Sequence, residues 1–121
     1  MENKKTLVIG ASENPVRYSH MAIHQLRAHH HDVIGLAKRS GQVADVSIQT
    51  TFPHEKDIHT ITMYIGAKHQ PEYYNAILEL RPKRIIFNPG TENEEFKSKL
   101  LSAGIEAIEA CTLVMLTTGQ Y

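Results

Sequence analysis

Leu7-Val8-Ile9 is a short apolar run that breaks into Gly10-Ala11-Ser12 just before a helical pattern begins. The start of the chain is thereby committed to a strand, a tight turn and a helix. Residues 6–10 read as the strand and residues 19–30 as the helix, with Ala22, Ile23 and Leu26 spaced to share one face. Small residues at the turn let backbone N–H groups approach an anion closely, and a helix start adds unpaired N–H groups and the positive end of its dipole. Arg17 supplies a cation within reach of such a place. The plainer readings are a tight connection at Gly10 and Ala11, a helix cap at Ser19 and a solvated charge at Arg17.

The same rhythm repeats down the chain. Residues 32–37 form a second strand, and residues 58–65, with β-branched and aromatic side chains, a third. Pro71 opens a helix that carries Ala76, Ile77 and Leu80 inward, and Pro82 closes it. Residues 84–88 are a fourth strand and Pro89-Gly90 a turn. The next helix bears Phe96, Leu100 and Leu101, with Thr91 and Glu94 at the spacing of a capping box, and ends at Gly104. Residues 105–109 are a fifth strand, while residues 111–116 fit a short helix or an extended tail equally. Residues 41–53 suit neither period and are expected to be irregular. Alternation of this kind predicts a three-layer α/β domain: a doubly wound, mainly parallel five-stranded sheet with helices on both faces. Ligands of such sheets bind beyond the carboxyl ends of the strands. That places Gly10 to Ser12, Ala37 to Arg39, Tyr64 to Gly66 and Asn88 to Gly90 on one edge.

At 121 residues the chain has the length of one domain, residues 1–121. Thirteen Lys and Arg balance thirteen Asp and Glu, which argues against nucleic acid or an acidic membrane surface as the main partner. A single cysteine, Cys111, excludes an internal disulfide and a CxxC metal site and suits a reducing compartment, by default the cytoplasm. The early apolar run falls far short of a signal peptide or membrane span. Among eight histidines, His20 and His24 have helical i, i+4 spacing, but no carboxylate completes an H-E-x-x-H pattern and no third ligand is evident. No metal site is expected. Cys111 has neutral neighbours and reads as structural rather than nucleophilic. Tyr73, Tyr74 and Phe96 read as packing residues, and Leu113-Val114-Met115-Leu116 as a surface for a homo-oligomer.

A dinucleotide fingerprint is missing, since the first turn holds one glycine and the second strand ends in Ala37-Lys38-Arg39 instead of an acid. Two cations there suit a ribose that carries its own phosphate, as in NADP or coenzyme A (CoA). Gly10-Ala11-Ser12, Asn14-Pro15, Arg17, Ser19, the Asn-Glu-Glu opening at Asn93, and Gly104-Ile105-Glu106 followed by Cys111 resemble the small CoA-binding domain family. That family is Rossmann-like and similar to the CoA-binding domain of the succinyl-CoA synthetase α subunit. The resemblance implies CoA or acyl-CoA binding without chemistry of its own. It implies that Gly10, Ala11, Ser12, Arg17 and Ser19 meet the phosphates, that Lys38 and Arg39 lie near the adenosine, and that Tyr64, Ile65, Asn88, Pro89 and Gly90 line the rest of the groove. The chain departs from the family at Ala37-Lys38, often Asn-Pro, and at Tyr18, often Pro. The alternatives are a small acyl-CoA enzyme using Cys111 and an NADP-binding oxidoreductase domain.

Overall fold

A computed structural model of the chain describes residues 2–121. In chain order the elements are β1 (Thr6–Ile9), α1 (Tyr18–Ala28), β2 (Val33–Leu36), β3 (Gly41–Val43), β4 (Val46–Gln49), β5 (Thr60–Met63), α2 (Tyr74–Leu80), β6 (Arg84–Phe87), α3 (Glu94–Ser102), β7 (Glu106–Glu109) and α4 (Thr112–Thr117). Two 3-10 turns, Ala67–His69 and Pro71–Tyr73, precede α2. The sheet runs in the order β3-β4-β2-β1-β5-β6-β7. Every neighbouring pair is parallel except β3 with β4. The chain thus winds outward from β1 through β2 to β4, returns to β5 beside β1, and winds outward again to β7. The strand order reverses between β1 and β5, which is where a Rossmann-like sheet opens a crevice.

Two expectations are corrected by this sheet. It has seven strands, not five, and it is mixed, because residues 41–53 hold the hairpin of β3 and β4. Strands of three and four residues are too short to establish a period. The turn between them places Ala44 in the left-handed region at φ 53°. Only Val46-Ser47-Ile48, buried, exposed and buried in turn, carried a legible alternation. Arg27 of α1 pins the hairpin by donating from Nε and Nη2 to the two carboxylate oxygens of Asp45, at 2.9 Å each. β3 also returns the chain to β4 without a crossover helix.

The central strands β1, β5 and β6 are buried along their whole length because both of their faces are covered. Leu7, Ile9, Ile61, Met63, Ile85 and Phe87 point to one side, against Ile77 and Leu80 of α2 and Phe96 and Leu100 of α3. Val8 and Ile86 point to the other, where they share a cluster with Ile23 and Leu26 of α1 and Leu116 of α4. Tyr74 stacks on Phe96 with ring centroids 4.2 Å apart, in the packing role expected of both. The capping expectation changes at α3. Asn93 is the cap, its Oδ1 accepting from the Phe96 amide at 3.0 Å, while the Thr91 hydroxyl donates to the Asn88 carbonyl instead. Residues 111–116 resolve into α4, which buries Leu116 and leaves Val114 56% exposed. His29 Nδ1 lies 2.8 Å from the Gln25 carbonyl, and His30, at φ 67°, turns the chain out of α1. No described helix is long and apolar enough to cross a membrane.

At the amino ends of the strands the buried groups are polar. Arg84 Nε donates to Thr60 Oγ1 at 2.8 Å, and its guanidinium lies 4.5 Å from the centroid of the Tyr121 ring. The Tyr121 hydroxyl pairs with Thr6 Oγ1. His31 Nδ1 accepts from the Lys4 amide at 2.9 Å, and His59 Nδ1 lies 2.7 Å from Thr60 Oγ1. Burial, followed by Lys4 at His31 and Arg84 at His59, holds both imidazoles below their ordinary value of 6.5. The fold therefore favours neutral rings and the unfolded chain binds more protons. The stabilisation is complete above about 6.5, the unfolded value, and is lost as pH falls through the lower folded values. We expect the thermal midpoint to drop between pH 7 and pH 5. His31→Asn, which keeps an acceptor for Lys4 without a titrating ring, should show a shallower drop. Parallel curves would exclude neutral His31 as a source of the dependence.

Candidate functional site

Gly10 sits at φ +94°, a left-handed conformation that L side chains rarely adopt. A Cβ there would lie 2.9 Å from Ile65 Cγ2 and 3.1 Å from the carbonyl carbon and oxygen of Tyr64. This twist turns the Gly10 and Ala11 amides together onto the Leu36 carbonyl, at 2.9 and 3.2 Å. Neither amide is then free for an anion. The donors that lack an acceptor among the described residues are the next ones, the amides of Ser12 and Glu13 and those of Tyr18 and Ser19 in the first turn of α1. Ser12 Oγ accepts from the Asn14 amide at 3.0 Å and Asn14 Oδ1 from the Val16 amide at 3.1 Å, which shapes the loop without using those donors. His20 Nδ1 lies 3.0 Å from the Ser12 carbonyl and ties the loop to α1. Ser19 is not the helix cap; Arg17 is, with no side-chain bond to the helix.

Three adjoining recesses follow the carboxyl edge of the sheet. One of ≈ 370 Å³ separates Ala11, Ser12, Glu13 and Asn14 from Ala37, Lys38 and Arg39. Another of ≈ 340 Å³ separates Gly10, Ser12, Arg17 and Ser19 from Tyr64, Ile65, Pro89 and Gly90. Between them lies one of ≈ 270 Å³, walled mainly by Ile9, Ala37, Ile65 and Tyr73. Ser12 borders the first two, Gly10 and Ile65 the last two, and Lys38 the first and third, so the three form one cleft over the β1–β5 junction. Every residue singled out from the sequence lines it except Asn88. A recess of ≈ 420 Å³ beside Lys5, Asp57, His59 and Arg81 opens at the opposite edge and shares no residue with these loops.

Asn88 is 2% exposed and spends its side chain inside the protein. Its Nδ2 donates to Thr62 Oγ1 at 2.7 Å and to the Met63 carbonyl at 2.8 Å, and its Oδ1 accepts from the Thr112 amide at 2.9 Å. It fixes the ends of β5 and β6 to the start of α4. Gln70, which sequence reasoning missed, does the same for two loops. Its Nε2 donates to the carbonyls of Ile65 and Thr91 at 3.0 and 2.8 Å, and its Oε1 accepts from Asn93 Nδ2 at 2.9 Å. Nothing in the sequence around Pro71 marks Gln70 as wholly buried. Glu72 was missed as well: both of its carboxylate oxygens accept from Lys38 Nζ, at 2.8 and 2.7 Å. That bond raises the Lys38 pKa above its usual value. Arg17 and Arg39 make no side-chain ion pair among the described residues.

The Tyr64 hydroxyl is buried and has no hydrogen-bond partner among the described residues; burial pushes its pKa up to about 12. Cys111 is partly exposed, as the residue before α4, and its Sγ makes no hydrogen bond within the described residues. His20 and His24 approach each other with Nε2 atoms 3.2 Å apart. No group of three or more His, Cys, Asp or Glu gathers among the described residues as a metal would require.

The model of a family described as CoA binding domain matches residues 4–117. Among solved structures, an uncharacterized protein superposes with a TM-score of 0.96 and 42% identity, with 100% of each chain covered. A hypothetical protein from Pyrococcus horikoshii OT3 gives 0.87 and 22%, covering 97% of this chain and 84% of that one. The cell-free ID.343 structure from Thermus thermophilus gives 0.84 and 19%, covering 98% and 91%. The last two support the fold alone. A search of curated proteins found no match.

Three substitutions separate scaffold from cleft. Gly10→Ala should cost about 1–3 kcal/mol of stability through its backbone strain. Asn88→Ala should cost about 2–3 kcal/mol by stranding the buried partners of its amide. Arg17→Ala, at a solvated position, should stay within about 0.5 kcal/mol. Urea denaturation of the three variants checks the ranking.

Proposed function

The chain belongs to the CoA binding domain family, and from that premise we propose that it binds CoA or an acyl-CoA along the carboxyl edge of its sheet, as a binding module without covalent chemistry of its own. The observation that carries this reading is the pairing of cations with unclaimed amides on one cleft. Lys38 and Arg39 stand after β2, where a binder of unphosphorylated ribose carries an acid. Across the cleft, Arg17 and the amides of Ser12, Glu13, Tyr18 and Ser19 offer donors at a helix start. The first group suits the 3′-phosphate of CoA and the second its pyrophosphate. The wall of Tyr64, Ile65, Pro89 and Gly90 suits the less polar arm of the ligand.

An acyl-CoA enzyme using Cys111 would need a base or electropositive setting for the thiol. Cys111 has no hydrogen-bonded partner among the described residues, which supports binding over catalysis. An NADP-binding domain would use the same cations, and family membership is what favours CoA over it.

Calorimetric titration with CoA, dephospho-CoA and NADP tests the assignment. The parent protein should prefer CoA. Changing Lys38 and Arg39 together to Ala should weaken CoA by about 1.5–3 kcal/mol, the range for hydrogen bonds to charged groups. Dephospho-CoA should scarcely respond. Equal losses for both would remove the 3′-phosphate role from this pair, and a preference for NADP would replace CoA as the ligand.

A further inference from the structure

We propose that Glu72 restrains the affinity of the cleft for phosphate ligands by holding Lys38 across the mouth of its apolar recess, so that a ligand phosphate must take the ammonium from the carboxylate before it is fully bound. The inference rests on the CoA reading of the same cleft. Lys38 leaves the end of β2, and Glu72 belongs to the 3-10 turn before α2, 34 positions away. Their bond therefore bridges two loops on either side of the recess that Ile9, Ala37, Ile65 and Tyr73 wall. The turn that carries Glu72 is anchored, because Tyr73 packs on Phe52 with ring centroids 6.3 Å apart. Lys38 Nζ lies 5.6 Å from the centre of the Tyr73 ring, which guides its stem over that recess.

The bond is built to open. The side chains of Lys38 and Glu72 are 76% and 52% exposed. Ion pairs in so much solvent are weak and screened. Lys38 also borders the neighbouring recess, beside Arg39. Because Lys38 borders both recesses, transfer of its ammonium from one to the other requires rotation of only that one flexible side chain. A phosphate monoester brings up to two negative charges and three acceptor oxygens against the single charge of the carboxylate, whereas ribose hydroxyls bring no charge. The carboxylate thus opposes every ligand that needs Lys38 and is indifferent to one that does not.

Glu72→Gln keeps the shape of the side chain and removes its charge. Titrated in about 0.15 M salt, this variant should bind CoA roughly three- to fivefold more tightly than the parent, the factor set by an exposed ion pair. Dephospho-CoA should change by less than about twofold. In a Lys38→Ala background the same substitution should leave CoA affinity unchanged, which separates a hold on Lys38 from general repulsion of an anionic ligand. If the variant binds CoA but the parent does not, the proposal is also supported. If the parent binds CoA and Glu72→Gln does not tighten it, or if the gain persists without Lys38, the proposal is overturned and the CoA reading stands. If neither protein binds CoA, both are overturned.

Discussion

The cleft depends on one backbone arrangement, the left-handed twist at Gly10 that turns two consecutive amides onto the Leu36 carbonyl. Without it the chain leaving β1 would continue along the sheet instead of folding back over β2. With it, Ser12 is carried above the β1–β5 junction, and Ala11 is drawn down until it is 6% exposed in the core. The close approach of Gly10 to Tyr64 and Ile65 fixes the other side of the same turn. A glycine in this place therefore serves packing and cleft geometry together. The amides that have no acceptor among the described residues are those of the residues that follow, Ser12 and Glu13.

Much of this was legible because the fold writes long-range order in local patterns. Leu7-Val8-Ile9 and Ile85-Ile86-Phe87 are continuous apolar runs because helices cover both faces of the sheet, so the layering could be read before any contact was known. The hairpin of β3 and β4 was not legible, since three- and four-residue strands give too few alternations to distinguish from irregular chain. The cap of α3, expected at Thr91, was misplaced for a different reason. Thr91 and Asn93 are both good caps, and the choice is made by the Asn88 carbonyl, which engages the Thr91 hydroxyl. Partners distant in sequence were beyond reach in principle: neither the Lys38–Glu72 bond nor the three-way bonding of Gln70 leaves a local trace.

The two edges of the sheet handle polarity in opposite ways. At the amino edge Thr6, Thr60 and Arg84 are buried and bonded to one another or to Tyr121. Leaving any of them unpaired would cost the full desolvation of that group. At the carboxyl edge Arg17, Lys38 and Arg39 stay in solvent, where they contribute little to stability and can change partners cheaply. The pH-sensitive groups of the fold, His31 and His59, and the exposed cations of the cleft are thereby separate sets of residues.

At the carboxyl edge the cleft loops are held from behind. Asn88 and Gln70 face away from the cleft, and each uses both ends of its amide to tie neighbouring loops together. The floor offered to a ligand is therefore backbone and small side chains in positions already fixed by buried bonds. For a ligand bound as proposed, ordering costs would fall mainly on the long side chains of Arg17, Lys38 and Arg39. Lys38 is partly relieved of that cost by Glu72, which already confines it. Glu72 therefore acts in two opposed ways on a phosphate ligand, reducing the entropy that Lys38 has left to lose and competing for its charge. Confinement by Glu72 holds the ammonium over the wrong recess, so little of that entropy saving survives the transfer, and competition is the larger of the two effects.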